Sequence, residues 1–426
     1  MEETPSPLAD AQQFLKKGSP LQLAGQALAL ANSNTGRNVY LAQDRERILQ
    51  EAAALESSST DHGPLFGIPV SIKDCFDVAG YRTSCGSAFY NANNPISATD
   101  SWMAQRLRAA GAVITGKTHM HQIAYGITGE SADFGDCLQP RNVALLTGGS
   151  SSGAAASVQE GSAIAAIGTD TGGSVRVPAA LCGLAGYRSS VGVGSWAGGV
   201  HLAQSFDALG FLFRDLRDGP AIAQALFGIS PAANDAAIRL PRSPRIAIAG
   251  AEFLSDCDAV VAEAYTLQKQ RMQKLGATLH TVDTGFWEDA VEIFSTIQAH
   301  EAAAIQREKL AGRADFSVFE PIIAERLAWG ETLSPDLIAS FRGRHAIFRA
   351  TMDTMLTQHD LLMLPCAPMH ALRADDDHTT SRQQILRYTT PVSLAAMPAV
   401  ALPQGIQLIA ARGRDAALLA FAAALQ

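Results

Sequence analysis

The sequence predicts an α/β fold in which helices cover both sides of a central sheet, the sheet being mixed or mainly parallel. Three observations carry this expectation. Short apolar runs of strand length recur along the chain, stretches with helical period separate them, and one strand–helix–strand unit is legible between 245 and 282.

The elements follow in order. IPVSIKD at 68–74 reads as a strand, with Val70 and Ile72 facing one side and Ser71 and Lys73 the other. SSST at 57–60 and the DHG after it read as a loop. DSWMAQRLRAAG reads as a helix, with Asp100 as its cap and Gly111 as its stop, and AVITG follows as a buried strand. The stretch 119–147 is irregular and turn-rich. SGAAASVQEG at 152–161 is a short helix, AIAAIG at 163–168 a fully apolar strand, TDTGGS a tight loop, and VRVPAALCG the opening of another helix. RIAIAG at 245–250 and 277–282 are strands around a helix at 257–275. The segment 286–358 is mostly helical, with Phe294, Ile297 and Ile305 on one face, and LLMLP at 361–365 and AVALP at 399–403 are late strands. No repeat or low-complexity linker divides the chain. It therefore reads as one domain over 1–426, with 286–358 as a helical insert placed to wall a substrate site.

Composition narrows the function. Hydrophobic residues make up 47% of the 426 and charged ones 17%, too apolar for a disordered chain. A net charge of −8 argues against a nucleic-acid surface as the main business. The six cysteines form no CxxC pair, so neither a zinc ribbon nor a redox pair is expected. The N-terminal MEETPSPLADAQQFLKK has no apolar core, which makes a secretory signal unexpected and a cytoplasmic location the default. No apolar run approaches the ~20 residues of a membrane span.

Two glycine-rich runs carry the chemistry: GGSSSG at 148–153 and GTDTGGS at 168–174, with Ser150 and Ser174 separated by 24 positions. The first run also fits GxSxG centred on Ser151, which would imply a nucleophile elbow. That reading needs a strand directly before the serine and a well-placed late histidine. QPRNVALLT is a poor strand, and His280, His300, His345, His359, His370 and His378 have no distinctive setting. In the second run a buried strand meets two successive glycines and then a serine at a helix start. Such a turn points several N–H groups into one small space, as an oxyanion requires. Asp170 and Arg176 flank this loop and would pair to brace it. Lys73, at a buried strand end, would lose its proton through desolvation and could act as a general base.

Three other patterns compete. GAVITGKT at 111–118 fits G-x4-GK[ST], but its middle reads as a strand rather than a phosphate loop. His119-Met120-His121 has no clustered acid or cysteine, so a packed or hydrogen-bonded pair is expected before a metal site. Ser71-Ile72-Lys73 lacks the S-x-x-K spacing.

With these residues in view, the chain resembles the amidase signature enzymes. The segments that carry the resemblance are GPLFGIPVSIKDCFDVAG, GAVITGKT, TGGSSSGAAASV, GTDTGGSVRVPAALCGLAGY and PVSLAAMPAVALP, in order from about 37 to 410. The resemblance implies the amidase signature fold and a Ser–cis-Ser–Lys triad. Ser174 matches the nucleophile, Ser150 the bridging serine of a cis peptide and Lys73 the base. Thr171, Gly172, Gly173 and the N–H of Ser174 match the oxyanion hole, and Ala124, Tyr125, Gly126 and Ile127 the acyl pocket. It implies an amidohydrolase working through an acyl-enzyme, without metal or organic cofactor. Its partner would be a small amide, with no nucleic acid and no membrane, and a homodimer is among the oligomeric states left open.

Departures concern the substrate. Where family members often show TGEN and an NP pair, this chain has Ser131 and Asn142-Val143. Within the family it resembles compact amidases such as the indole-3-acetamide hydrolases, so an aryl- or indolyl-acetamide or a carbamoyl compound is expected. The alternative is the glutaminase-type subunit of a tRNA-dependent amidotransferase, where an acid that contacts the glutamine amide is matched here by Leu386. A non-catalytic binding protein of the same fold is the third reading, opposed by the intact Lys73, Ser150 and Ser174.

Overall fold

A computed structural model describes residues 4–33, 36–56, 63–230, 240–241, 243–312 and 314–425. The loop read at 57–62 and the first three residues of the N-terminal stretch lie outside the described residues. Thirteen strands are described: β1 Tyr40–Ala42, β2 Pro69–Lys73, β3 Val113–Thr118, β4 Leu138–Gln139, β5 Asn142–Leu146, β6 Ala165–Asp170, β7 Ala185–Arg188, β8 Ala208–Phe213, β9 Arg245–Ala249, β10 Thr278–Val282, β11 Leu361–Pro365, β12 Ala399–Ala401 and β13 Ile406–Ile409. Eleven of them form one sheet in the order β1-β3-β2-β6-β8-β7-β12-β13-β11-β9-β10, while β4 and β5 form a separate hairpin.

The sheet is mixed. β2 runs parallel to β3 and β6, and β9 parallel to β10 and β11. The strands between these two blocks pair antiparallel. Every residue of β2, β3, β6, β8 and β11 is buried, so both faces of the sheet centre are covered by flanking elements. The parallel unit β9–helix Ala259–Lys274–β10 is the strand–helix–strand unit legible at 245–282.

Local chemistry moves some boundaries. Ser101, not Asp100, caps the helix Trp102–Ala109: its hydroxyl accepts from the Ala104 N–H at 3.3 Å. Asp100 pairs instead with Arg108 at 2.8 Å. The irregular stretch 119–147 contains the β4–β5 hairpin, so Asn142–Leu146 is a strand after all. β1, β7, β8 and β13 have no counterpart in the sequence reading, nor does the helix Ser381–Leu394, which contains Pro391. Within 286–358 lie the helices Ala290–Lys309, Pro321–Thr332 and Pro335–Gln358. Phe294 and Ile297 are fully buried, whereas Ile305 is half-buried. No helix among the described residues is long and apolar enough to cross a membrane.

Candidate active site

β2 and β6 are parallel neighbours, and both end at the same edge of the sheet. That places Lys73, the last residue of β2, beside the loop that leaves β6. The Lys73 side chain is fully buried. Its Nζ donates to Ser150 Oγ at 2.8 Å and to Thr169 Oγ1 at 2.8 Å. It makes no ion pair among the described residues. Burial lowers its pKa from 10.5 to about 8, against the pull of Cys75, Asp170, Asp207 and Cys85. The Gly149–Ser150 peptide is cis.

Ser174 is almost buried and sits in the loop between β6 and the helix Arg176–Leu181. Its hydroxyl has no hydrogen-bond partner among the described residues. The hydrogen-bond chain therefore runs from Lys73 to Ser150 and does not continue to Ser174.

The loop is held by Asp170. Its carboxylate accepts six N–H groups: the backbone of Gly173, Val175 and Arg176, Arg176 Nε and Nη2, and Arg188 Nη1. Burial alone would push this carboxyl up. The Arg176 and Arg188 guanidiniums outweigh it and hold the group well below the usual carboxylate range. The Gly173 N–H, one of the groups expected at the oxyanion hole, is donated to Asp170 at 2.8 Å. Gly173 still has a reason to be glycine: φ is +121°, and a Cβ would lie 2.9 Å from Thr389. Thr171 is anchored by its hydroxyl, which donates to Asp207 at 2.6 Å. The other Asp207 oxygen faces His201 Nδ1 at 2.8 Å.

Sequence reasoning brought Lys73, Ser150, Ser174, Asp170 and Arg176 forward but missed Thr169, Arg188 and Asp207. Thr169 lies inside the quoted GTDTGGS run, and Asp207 inside SFDALG, without a spacing that would single them out.

Ser174 opens onto a narrow pocket lined by Ala124, Tyr125, Gly126, Ile127, Thr171, Gly172, Leu202, Gln298, Arg382 and Leu386. All four residues expected at an acyl pocket are thus beside Ser174. A second pocket adjoins it through Gly126, Ile127 and Arg382, and adds His121, Thr128, Glu130, Ile322, Arg326, Asp377, His378 and Thr379.

The competing patterns resolve differently. Ser151 is fully buried and its hydroxyl donates to the Thr169 carbonyl, so it cannot meet a substrate as an elbow nucleophile. In GAVITGKT the middle is β3, and Lys117 is spent in a buried pair with Asp74 at 2.7 Å. His119 Nε2 lies 3.0 Å from the Gly135 carbonyl, and burial lowers the pKa of His119 to about 4 and that of His121 to about 3. Among the described residues no group of three His, Cys, Asp or Glu could hold a metal ion.

Comparison with known proteins places this geometry. The Amidase family profile matches residues 26–419. A glutamyl-tRNA(Gln) amidotransferase subunit from Akkermansia muciniphila is 29% identical over 92% of this chain and 89% of its own length. The protein of the same name from Geobacter sulfurreducens is 31% identical over 87% of this chain and 83% of its own. A solved structure described as a crystal structure of amidase is 30% identical, superposes with a TM-score of 0.87, and covers 98% of both chains. The buried lysine at a strand end, the two serine runs around it and the mixed sheet that carries them thus have a common origin: this chain belongs to the amidase family of amidase signature hydrolases.

Proposed function

We propose that this protein hydrolyses a small linear carboxamide to a carboxylate and ammonia or an amine, through an acyl-enzyme on Ser174. One observation carries the reading: Lys73 is fully buried, pairs with no carboxylate among the described residues, and lies 2.8 Å from the Ser150 hydroxyl. Neutral Lys73 takes a proton from Ser150 as Ser150 takes one from Ser174. Ser174 Oγ attacks the amide carbon, and the N–H groups of Thr171, Gly172 and Ser174 receive the oxyanion. As the C–N bond breaks, Ser150 passes its proton to the departing nitrogen and regains one from Lys73, which is neutral again. Water then attacks the ester by the same relay and Ser174 regains its proton. The helical segment 286–358 walls the substrate site in this reading, supported by Gln298 and Arg326 reaching the two pockets.

Ammonia release across amides, ureas and esters tests the proposal, with Ser174→Ala as control. A fluorophosphonate should label Ser174. Equal labelling of Ser174→Ala would remove it as the nucleophile.

A second reading, the glutaminase-type subunit of a tRNA-dependent amidotransferase, is favoured by the names of the curated relatives and opposed by Leu386 in the pocket. Ammonia release from glutamine only in the presence of co-purifying tRNA-binding proteins would select it.

A further inference from the structure

We propose that a cleft at the β10 end of the sheet is an effector site: it takes a small apolar carboxylic acid, and its occupant bears on the loop that holds Ser174. The topology places the cleft. β10, β9 and β11 are adjacent and parallel, with β9 in the middle. From β9 the chain passes through the helix Ala259–Lys274 to β10 on one flank, and returns through the helices between 290 and 358 to β11 on the other. Connections that leave a central strand for opposite flanks open a crevice at the carboxyl ends of the strands, where doubly wound sheets bind their ligands. Here the crevice measures about 370 Å³, within the range of small-molecule sites. Ala249 at the end of β9, Thr281 in β10 and Pro365 at the end of β11 line it, together with Tyr265, Thr266 and Lys269 of the helix.

The lining selects the chemistry. Ile248, Leu254 and Pro365 give it an apolar surface, and the Tyr265 hydroxyl is committed to the Met363 carbonyl at 2.9 Å. Lys269 is the one charged residue in the lining. It is half-buried, its ammonium lies 5.3 Å from the centre of the Tyr265 ring, and among the described residues no carboxylate pairs with it. The acids on the neighbouring loop are engaged. Asp256 pairs with Arg387 at 2.7 Å, and Asp258 accepts the Val261 and His370 N–H groups, each at 2.8 Å. An anionic head at Lys269 with an apolar body along the strand ends matches this distribution.

Two routes lead from the lining to the loop after β6. The Pro365 carbonyl accepts from Gln407 Nε2 at 2.9 Å, Gln407 Oε1 accepts from Arg176 Nη1 at 2.8 Å, and Arg176 holds Asp170. Cys257, also in the lining, has its Sγ 3.3 Å from the Tyr388 hydroxyl, and the next residue, Thr389, donates to the Gly172 carbonyl. An occupant that displaces Pro365 or Cys257 thus reaches the backbone beside Ser174 through contiguous, directional contacts.

Hexanoate is the probe. Titrated calorimetrically against the wild type it should bind, and 1-hexanol, with the same chain and no charge, should bind about tenfold more weakly, the low end for a hydrogen bond to a charged group. Lys269→Met should weaken hexanoate by the same factor. Ala262→Trp, which puts an indole into the exposed side of the cleft, should abolish binding. Hydrogen exchange read by mass spectrometry should show hexanoate changing exchange over 168–176 by about twofold or more in the wild type and leaving it unchanged in Ala262→Trp. Thermal melts confirm that both variants are folded.

No hexanoate binding, equal binding of 1-hexanol, or binding that survives in both folded variants overturns the site. Binding that leaves exchange over 168–176 unchanged overturns its effector role. Neither readout depends on amide turnover, so failure of the hydrolase reading shows separately, in the ammonia assay.

Discussion

Replacing Thr169 by valine tests the Lys73 assignment more sharply than removing the lysine. With a pKa of about 8 in place of 10.5, Lys73 is neutral in about one molecule in eleven at pH 7 rather than about one in three thousand, a difference of about 3.4 kcal/mol. Burial causes that shift; the Thr169 hydroxyl accepts from Nζ at 2.8 Å, and a hydrogen bond to the charged form works against it. A hydrogen bond to a charged group contributes about 1.5–3 kcal/mol, part of which the neutral amine keeps; the net is about one pKa unit. The ascending limb of kcat/KM against pH, near 8 in the wild type, should therefore move toward 7 in Thr169→Val. The limb's position carries the test, whatever happens to its height. A folded Thr169→Val enzyme whose limb stays where it was, or a wild type with no ionisation between pH 7 and 9, would refute Lys73 as the base. Stability follows the same ionisation. The folded pKa is depressed, so the unfolded chain binds more protons between about pH 8 and 10.5, and stability from this residue rises with pH across that window.

Other outcomes follow from the same geometry. Ser174→Ala should lower kcat by about 10⁴-fold or more, measured by ammonia release, with the fold unchanged in circular dichroism. Lys73→Met should abolish turnover at neutral pH without unfolding the chain; retained activity would exclude the lysine. Asp170→Asn leaves Arg176 and Arg188 buried beside a neutral amide, and should cost about 3–5 kcal/mol in urea denaturation. An unchanged midpoint would show that the carboxylate does not hold the loop. Gly126→Ala puts a Cβ 1.9 Å from His121 Nε2, and should cost about 1–3 kcal/mol and slow turnover; unaltered melting and kinetics would mean that the imidazole swings away freely.

Some of this arrangement is legible in the sequence because its cause is local. The strand ending at Lys73 shows in the alternation of PVSIK, and the tight loop after β6 in two glycines after an apolar run. Asp207 and Arg188 are not legible in that way. They reach Thr171 and Asp170 from 36 and 18 positions away, and a single aspartate or arginine inside an ordinary strand region has no local signature. Gln298 stands on a helix recognisable by its apolar face and Arg382 on one with no counterpart in the sequence reading, so their convergence on one pocket depends on helix packing rather than on spacing. Ser151 shows the reverse case: a pattern that is locally sound points to a hydroxyl that the third dimension buries.

Arg176 has a consequence for the order in which the enzyme is made. Lys73, Ser150 and Ser174 all lie within the first 174 residues. Yet Nη1 of Arg176 donates to the Thr389 carbonyl and to Gln407, Nη2 donates to Ser393, and the Thr389 hydroxyl donates to the Gly172 carbonyl. A nascent chain halted near residue 380 would already contain Lys73, Ser150 and Ser174 and still lack the brace that holds the loop after β6. Its serine should resist a fluorophosphonate that labels the finished protein. The brace would be complete only once the helix Ser381–Leu394 and β13 are in place.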